Sequence, residues 1–203
     1  MSSGNEVSII ILAAGSSSRM GQAKQQLPIG GESLLVKTVS TALHSAIGKV
    51  VVVLGSQHEL HQNSLKGQPV EITLNAHWQT GMGSSIKAGL THVLSLNPKT
   101  EAIIILVCDQ PLLQPQHLNM LVEKQKQTKA FIVASGYSNT KGVPALFTQE
   151  IFGEILKLKD DEGAKKIIQQ YPGEVVDFPE GAIDLDTPDD YKNFLQHQPK
   201  KMP

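Results

Sequence analysis

The sequence predicts an α/β fold, a single domain built on a mostly parallel sheet with both faces covered by helices. Short apolar runs rich in Val and Ile alternate with stretches in which apolar residues recur at helical spacing. The runs are continuously apolar, which is typical of parallel strands covered by helices on both faces. With 203 residues, 40% of them apolar, the chain is long enough to form one such domain around a sizeable core.

The predicted elements follow one another in strand–helix order. Apolar runs predict strands over residues 7–12, 50–54, 70–74, 102–107 and 131–134. Apolar residues at intervals of three and four predict helices over residues 34–46, 84–96 and 116–126. A last helix is predicted to begin at Thr187 and Pro188, because Thr is a good N-cap and Pro suits the first helical position.

The predicted domain spans residues 7–196, and we expect the polar ends, residues 1–6 and 197–203, to be disordered. The net charge of −1 provides no basic field to attract nucleic acid or a membrane surface. No apolar run approaches the length of a transmembrane helix, and residues 1–6 lack the basic region of a secretory signal. The single cysteine, Cys108, cannot form an internal disulfide, so we expect a cytoplasmic protein.

The loop after the first predicted strand is the most informative segment, because bulky side chains give way there to small ones. It comprises Leu12, Ala13, Ala14, Gly15, Ser16, Ser17 and Ser18. Backbone N–H groups of such a loop can approach and cradle a phosphate chain, and Arg19 and Lys24 add two cations. The spacing from Gly15 to Gly21 excludes both a Walker loop and the dinucleotide fingerprint. The alternative is an ordinary strand-to-helix turn with solvated basic residues.

Two acidic segments supply candidate metal ligands. Asp109 comes just after a predicted strand, at the sheet edge where ligands bind in open α/β folds, and a carboxylate there can hold Mg²⁺. The alternative is an Asp that initiates a turn before Pro111. Asp184 and Asp186 lie on one side of a short extended segment and are not needed for helix capping. We favour Asp186 as the second ligand because it is nearer the helix start.

A third segment follows the strand predicted over residues 70–74. Gly81, Ser84 and Ser85 lie around a predicted helix start, where free N–H groups can bind a base carbonyl or a phosphate. A plain Ser-capped helix is the alternative, although it leaves the glycines and the paired serines unexplained. We interpret Trp78 and His77 as packing and surface residues.

Two further segments have no decisive chemistry of their own. Residues 142–144, which are Gly142, Val143 and Pro144, predict a tight turn before an apolar strand, and Asp161 lies in an acidic turn before a helix. From the residues alone, both segments can be structural.

Taken together and in order, these motifs resemble those of the molybdenum cofactor cytidylyltransferases of the NTP transferase superfamily. The resemblance extends over about residues 7–191 and includes Gly81-Met-Gly-Ser-Ser, Asp109-Gln-Pro, Gly142-x-Pro-x-x-Phe147, Asp161-Glu-Gly-Ala and Asp184-Leu-Asp-Thr-Pro188. It implies a single Rossmann-like three-layer α/β/α domain of the nucleotide-diphospho-sugar transferase type. It also implies Mg²⁺-dependent transfer of CMP from CTP to the terminal phosphate of molybdopterin, with release of pyrophosphate and with Mn²⁺ as a second suitable metal.

The resemblance also implies roles for the residues. We assign Mg²⁺ to Asp109 and Asp186, the α-phosphate to Lys24 and the departing pyrophosphate to Arg19. The loop would hold the triphosphate, Gly81, Ser84 and Ser85 would contact the base or ribose, and Gly142, Val143, Pro144 and Asp161 would lie on the acceptor side. A molybdoenzyme or its chaperone is the expected recipient of the product.

Three positions bear on the choice of substrates. The pair Ala13-Ala14 favours CTP, because the guanylyl branch usually has glycine at the second position. Val143 and Asp160 depart from the residues usual in the family, and both lie on the expected acceptor side. The alternatives are therefore a related enzyme that uses GTP, a sugar phosphate or methylerythritol phosphate, and a non-catalytic cofactor-binding protein of the same fold.

Overall fold

A computed structural model describes residues 7–197 and confirms the three-layer α/β/α architecture. The strands are β1 (Val7–Ala13), β2 (Pro28–Ile29), β3 (Glu32–Ser33), β4 (Val50–Leu54), β5 (Glu71–Leu74), β6 (Ala102–Val107), β7 (Ile132–Tyr137), β8 (Thr140–Thr148) and β9 (Glu174–Asp177). The helices are α1 (Leu34–His44), α2 (His58–Ser64), α3 (Met82–Leu96), α4 (Pro115–Thr128), α5 (Gln149–Leu156), α6 (Ala164–Gln170) and α7 (Pro188–His197).

The main sheet has seven strands in the order β5-β4-β1-β6-β8-β7-β9. β1 pairs in parallel with β4 and β6, so the carboxyl ends of these strands lie at one edge of the sheet. β8 is antiparallel to both of its neighbours. The cause is local: Ser138 and Asn139, with φ of 47° and 55°, form a two-residue turn of the kind that joins antiparallel strands.

The continuous apolar strands are buried on both faces, as predicted. In β1, Ile9 and Ile11 belong to one core cluster and Ile10 and Leu12 to the other, because successive side chains of a strand point to opposite faces. Each fully buried Ile contributes roughly 1.5–3 kcal/mol. The sheet is therefore a rigid support for the loops that follow its strands.

The observed elements differ from the predicted ones mainly at their ends. The predicted tight turn over residues 142–144 is wrong, because these residues lie inside β8 and the turn comes earlier, at Ser138 and Asn139. α3 begins at Met82 with Gly81 as its N-cap, so the Ser-capped alternative is also wrong. Thr187 caps α7 as predicted, since its hydroxyl accepts the backbone N–H of Asp190 at 3.2 Å.

The predicted disorder of residues 1–6 and 198–203 lies outside the described residues. His197, which was assigned to the C-terminal tail, is instead the last residue of α7. Between Val7 and His197, no helix combines the length and the apolarity needed to cross a membrane.

Candidate functional site

A cleft of about 370 Å³ opens where β1 and β6 end, at the sheet edge predicted to bind ligands. Small residues of the loop after β1 form one wall, and the turn before α3 forms another. The lining residues are Leu12, Ala14, Gly15, Ser16, Lys24, Gln25, Trp78, Gln79, Gly81, Met82, Ser85, Val107, Cys108 and Asp109. A smaller cavity of about 170 Å³ shares Gly15 and Lys24 with the cleft and extends to Arg19 and Asp186.

Lys24 lies at the centre of the charged part of this site. Its Nζ donates to Asp109 Oδ2 at 2.8 Å and to Asp186 Oδ1 at 3.0 Å, with 19% of the lysine side chain exposed. The second oxygen of Asp186, Oδ2, accepts from Arg19 Nη2 at 2.8 Å. Two neighbouring cations and two carboxylates that are distant from them in sequence therefore form one ion-pair network.

The network shifts the proton affinities of its members. Burial alone lowers the pKa of Lys24, but the adjacent charge of Asp109 and the hydrogen bonds to both carboxylates outweigh it, so the pKa lies above its usual value. Burial raises the pKa of Asp186, but Lys24 and Arg19 outweigh it and the net shift is downward. For Asp184, burial and the charges of Asp186 and Asp109 all raise the pKa. The ammonium and the Asp186 carboxylate are therefore held in their charged forms.

Asp109 and Asp186 also form a suitable seat for a divalent cation, because they already converge on a single positive charge. Within residues 7–197 no group of three or more acidic, His or Cys side chains is arranged to hold a metal. A metal here would take two protein carboxylates and complete its shell with water and phosphate oxygens, which suits Mg²⁺. Asp184 lies beside a separate cavity of about 420 Å³ that is also lined by Phe194.

The turn before α3 is held by Asn75. Its Nδ2 donates to Ser84 Oγ at 2.7 Å and to Ser85 Oγ at 3.0 Å. Ser84 is buried, its hydroxyl bonds to the Gly81 carbonyl at 2.7 Å, and it does not line the cleft, whereas Ser85 does. The hydroxyl of Ser84 is thus bonded within the turn, and its expected contact with base or ribose stays a prediction.

Trp78 packs as predicted, but it also lines the cleft, which sequence analysis missed. It lies against Gly55: a Cβ on that glycine would stand 2.6 Å from Trp78 Cβ and 2.8 Å from the Ala14 carbonyl oxygen. Only glycine leaves room here for the indole and the loop after β1 to approach each other.

The residues expected on the acceptor side, Gly142, Val143, Pro144 and Asp161, are not among those that line the cleft. The Val143 carbonyl accepts from Gln110 Nε2 at 3.1 Å, which connects β8 to the residue after Asp109. Asp161 lies beside the start of α3 instead, where Gly83 N–H donates to the Asp160 carbonyl at 2.8 Å. The two segments thus adjoin the residue after Asp109 and the start of α3, respectively.

Two more residues of the cleft concern its chemistry. Burial raises the pKa of Cys108 to about 12, so its thiol is protonated near neutrality and is no nucleophile. Gln25 lies beneath the loop after β1 and was missed by sequence analysis. The one signal in the sequence was its position next to Lys24. In the structure, both residues belong to the same short 3-10 helix.

The fold defines an α/β protein with the architecture of the nucleotide-diphospho-sugar transferases, with a cleft at the carboxyl ends of its parallel strands. The model of the MobA-like NTP transferase domain matches residues 9–175, and the chain belongs to this family of nucleotidyltransferases.

Three relatives illustrate the range of the similarity. Purine catabolism protein PucB of Bacillus subtilis is 31% identical over 194 residues, which cover 90% of this chain and 92% of PucB. Nicotine blue oxidoreductase of Paenarthrobacter nicotinovorans is 27% identical over 172 residues, covering 80% of this chain and 81% of that protein. A crystal structure of Rv0371c from Mycobacterium tuberculosis in complex with manganese is 23% identical, with a TM-score of 0.79 over 95% of this chain and 99% of the other.

Proposed function

We propose that this protein is a Mg²⁺-dependent cytidylyltransferase that transfers CMP from CTP to the terminal phosphate of a molybdopterin-type cofactor. The observation that carries nucleotidyl transfer is the convergence of Lys24, Asp109 and Asp186 beside a loop of small residues. A binding protein has no evident need for two carboxylates and a lysine at one point, whereas phosphoryl chemistry depends on such neutralisation of charge.

In this reaction an oxygen of the acceptor phosphate forms a bond to the α-phosphorus of the nucleotide, and the bond to the bridging oxygen of pyrophosphate breaks. The loop after β1 holds the phosphate chain through its backbone N–H groups. Lys24 stabilises the charge that grows on the α-phosphate, and the exposed Arg19 meets the departing pyrophosphate. These residues act by positioning and by charge, without a covalent intermediate on the protein.

Asp109 and Asp186 would hold the metal, whose contribution is to neutralise phosphate charge. Two observations support this assignment. Both carboxylates already bind one cationic group, and the structurally similar Rv0371c has been crystallised with manganese. We therefore expect Mg²⁺ or Mn²⁺ to support activity.

The choice of CTP is supported by the side chain of Ala14, which lines the cleft where the guanylyl branch usually leaves the space of a glycine. Molybdopterin as acceptor, and a molybdoenzyme or its chaperone as recipient of the product, are supported by the ordered motifs and by membership of the MobA-like family. A cytoplasmic location agrees with the single free thiol at Cys108.

The decisive experiment incubates purified protein with each of the four nucleoside triphosphates and with molybdopterin or simple phosphate acceptors. Pyrophosphate release is measured with Mg²⁺, with Mn²⁺ and with a chelator. We expect release with CTP and molybdopterin in the presence of metal. Release with GTP or with a sugar phosphate would replace the proposed substrates, and tight nucleotide binding without any release would favour a carrier.

A further inference from the structure

Gln25, with 2% of its surface exposed, lies beneath the loop of residues 12–18, which we name the phosphate loop. A buried amide is tolerated when its polar atoms are paired, and both ends of this side chain are. Its Nε2 donates to the Gly15 carbonyl at 2.9 Å and to the Ala13 carbonyl at 3.3 Å. Its Oε1 accepts from the Ser17 hydroxyl at 3.1 Å. One side chain is thus bonded to three residues of the loop.

These bonds determine which way the peptide groups of the loop face. In a planar trans peptide, the carbonyl and the N–H of one unit point in opposite directions. Because Gln25 draws the Ala13 and Gly15 carbonyls towards itself, the N–H groups of Ala14 and Ser16 point away from it. The loop therefore presents donors on the side opposite Gln25, where Ser16 is exposed.

The same network extends to Lys24. The Ser17 hydroxyl has one hydrogen, which it gives to Gln25, and its oxygen accepts the backbone N–H of Lys24 at 3.1 Å. Ser17 itself has a left-handed backbone, with φ of 55°. The start of the loop, its middle and the residue that carries the ammonium are thereby connected through one buried amide.

We propose that Gln25 is a positioning residue that holds the phosphate loop in its binding shape before a polyphosphate arrives. The inference rests on the proposed function and deepens it by naming what organises the loop. Donors that are already aimed bind charge without reorganisation, whereas a loop ordered by the ligand itself loses affinity. Gln25 acts through the backbone of its neighbours and is not a catalytic residue.

The test compares Gln25→Met with Gln26→Met. Gln26 is the matched control, because it follows Gln25 in the same short helix but bonds His61 at 2.9 Å and Ser64 at 3.4 Å instead of the loop. The probes are inorganic tripolyphosphate, CTP and cytidine. Binding is followed by the fluorescence of Trp78, the only tryptophan of the chain, which lines the cleft.

We expect Gln25→Met to weaken the binding of tripolyphosphate and of CTP about tenfold or more. A loss of this size is expected when the N–H groups of the loop are no longer oriented and the ligand loses the net contribution of their hydrogen bonds. Cytidine binding should stay unchanged, and Gln26→Met should bind all three probes like the wild type. If Gln25→Met does not fold, Ser17→Ala serves instead, because it removes the hydrogen-bonded link to Lys24 at a half-buried position. This variant should also weaken the binding of tripolyphosphate.

The outcomes separate this inference from the proposed function. A wild-type protein that binds neither tripolyphosphate nor any nucleotide contradicts the proposed function itself. Wild-type binding that is kept in Gln25→Met, or in Ser17→Ala where that variant is needed, overturns the positioning role alone. An equal loss of cytidine and tripolyphosphate affinity also overturns it, because it indicates general damage to the cleft.

Discussion

Lys24 occupies the place between two carboxylates that a divalent metal would take, so its removal should strengthen metal binding to the nucleotide-free protein. Its Nζ bonds Asp109 at 2.8 Å and Asp186 at 3.0 Å, and a metal that enters this seat must displace the ammonium. The perturbation is Lys24→Met, which keeps the apolar stem of the side chain and removes the charge.

The magnitude follows from the two hydrogen bonds. A hydrogen bond to a charged group contributes about 1.5–3 kcal/mol. We use the lower value, since 19–25% of the three side chains is exposed, and we halve the sum because the displaced ammonium is rehydrated. The remaining ~1.5 kcal/mol corresponds to about tenfold tighter metal binding.

The assay is Mn²⁺ binding without nucleotide, by electron paramagnetic resonance or calorimetry. Lys87→Met is the control, because Lys87 forms a comparable pair with Asp160 at 2.6 Å and does not line the cleft. Lys24→Met should also lower kcat by ~10²–10³, the usual effect of deleting one charge-stabilising donor. Manganese affinity that is equal to or weaker than that of the wild type would refute the reasoning.

The remaining predictions concern the metal, pH and the floor of the cleft. Asp109→Asn should raise the Mg²⁺ concentration for half-maximal activity roughly tenfold or more, through loss of an anionic ligand; Asp184→Asn should change it much less, and equal effects would contradict the assignment. Burial lowers the pKa of His117 to about 4, against 6.5 for the free side chain, although the charge of Glu180 opposes this shift. As the pH falls, the unfolded chain therefore takes up this proton before the folded protein does. The free energy of unfolding is thus highest above pH 6.5 and decreases towards pH 4. This pH-dependent loss amounts to about 3 kcal/mol, and urea unfolding of His117→Gln should show a smaller loss of stability over the same pH range. Gly55→Ala should displace Trp78, destabilise the fold by about 1–3 kcal/mol and shift the tryptophan emission; an unchanged spectrum would exclude the close contact.

Much of the fold could be predicted because its cause is local. The apolar runs of β1, β4 and β6 indicated buried parallel strands, and the burial of both faces confirms it. An apolar strand after residue 144 was predicted, but the start and the antiparallel direction of β8 were missed, because their signal is a two-residue turn at Ser138 and Asn139 that requires positive φ and lacks the usual glycine.

The sequence by itself determined which chemical groups the site contains: a loop of small residues, two cations and acidic residues that follow strands. Only the tertiary structure decided which of them meet. Lys24 lies 85 positions from Asp109 and 162 from Asp186, and these contacts form because β1 and β6 are neighbours in the sheet and residues 184–186 pass beside their ends. In the structure, Asp186 rather than Asp184 bonds to Lys24, Ser84 is buried outside the lining of the cleft, and Gln25 lies beneath the loop. These outcomes depend on long-range packing, which sets side-chain direction and burial and has no signature in a short stretch of sequence.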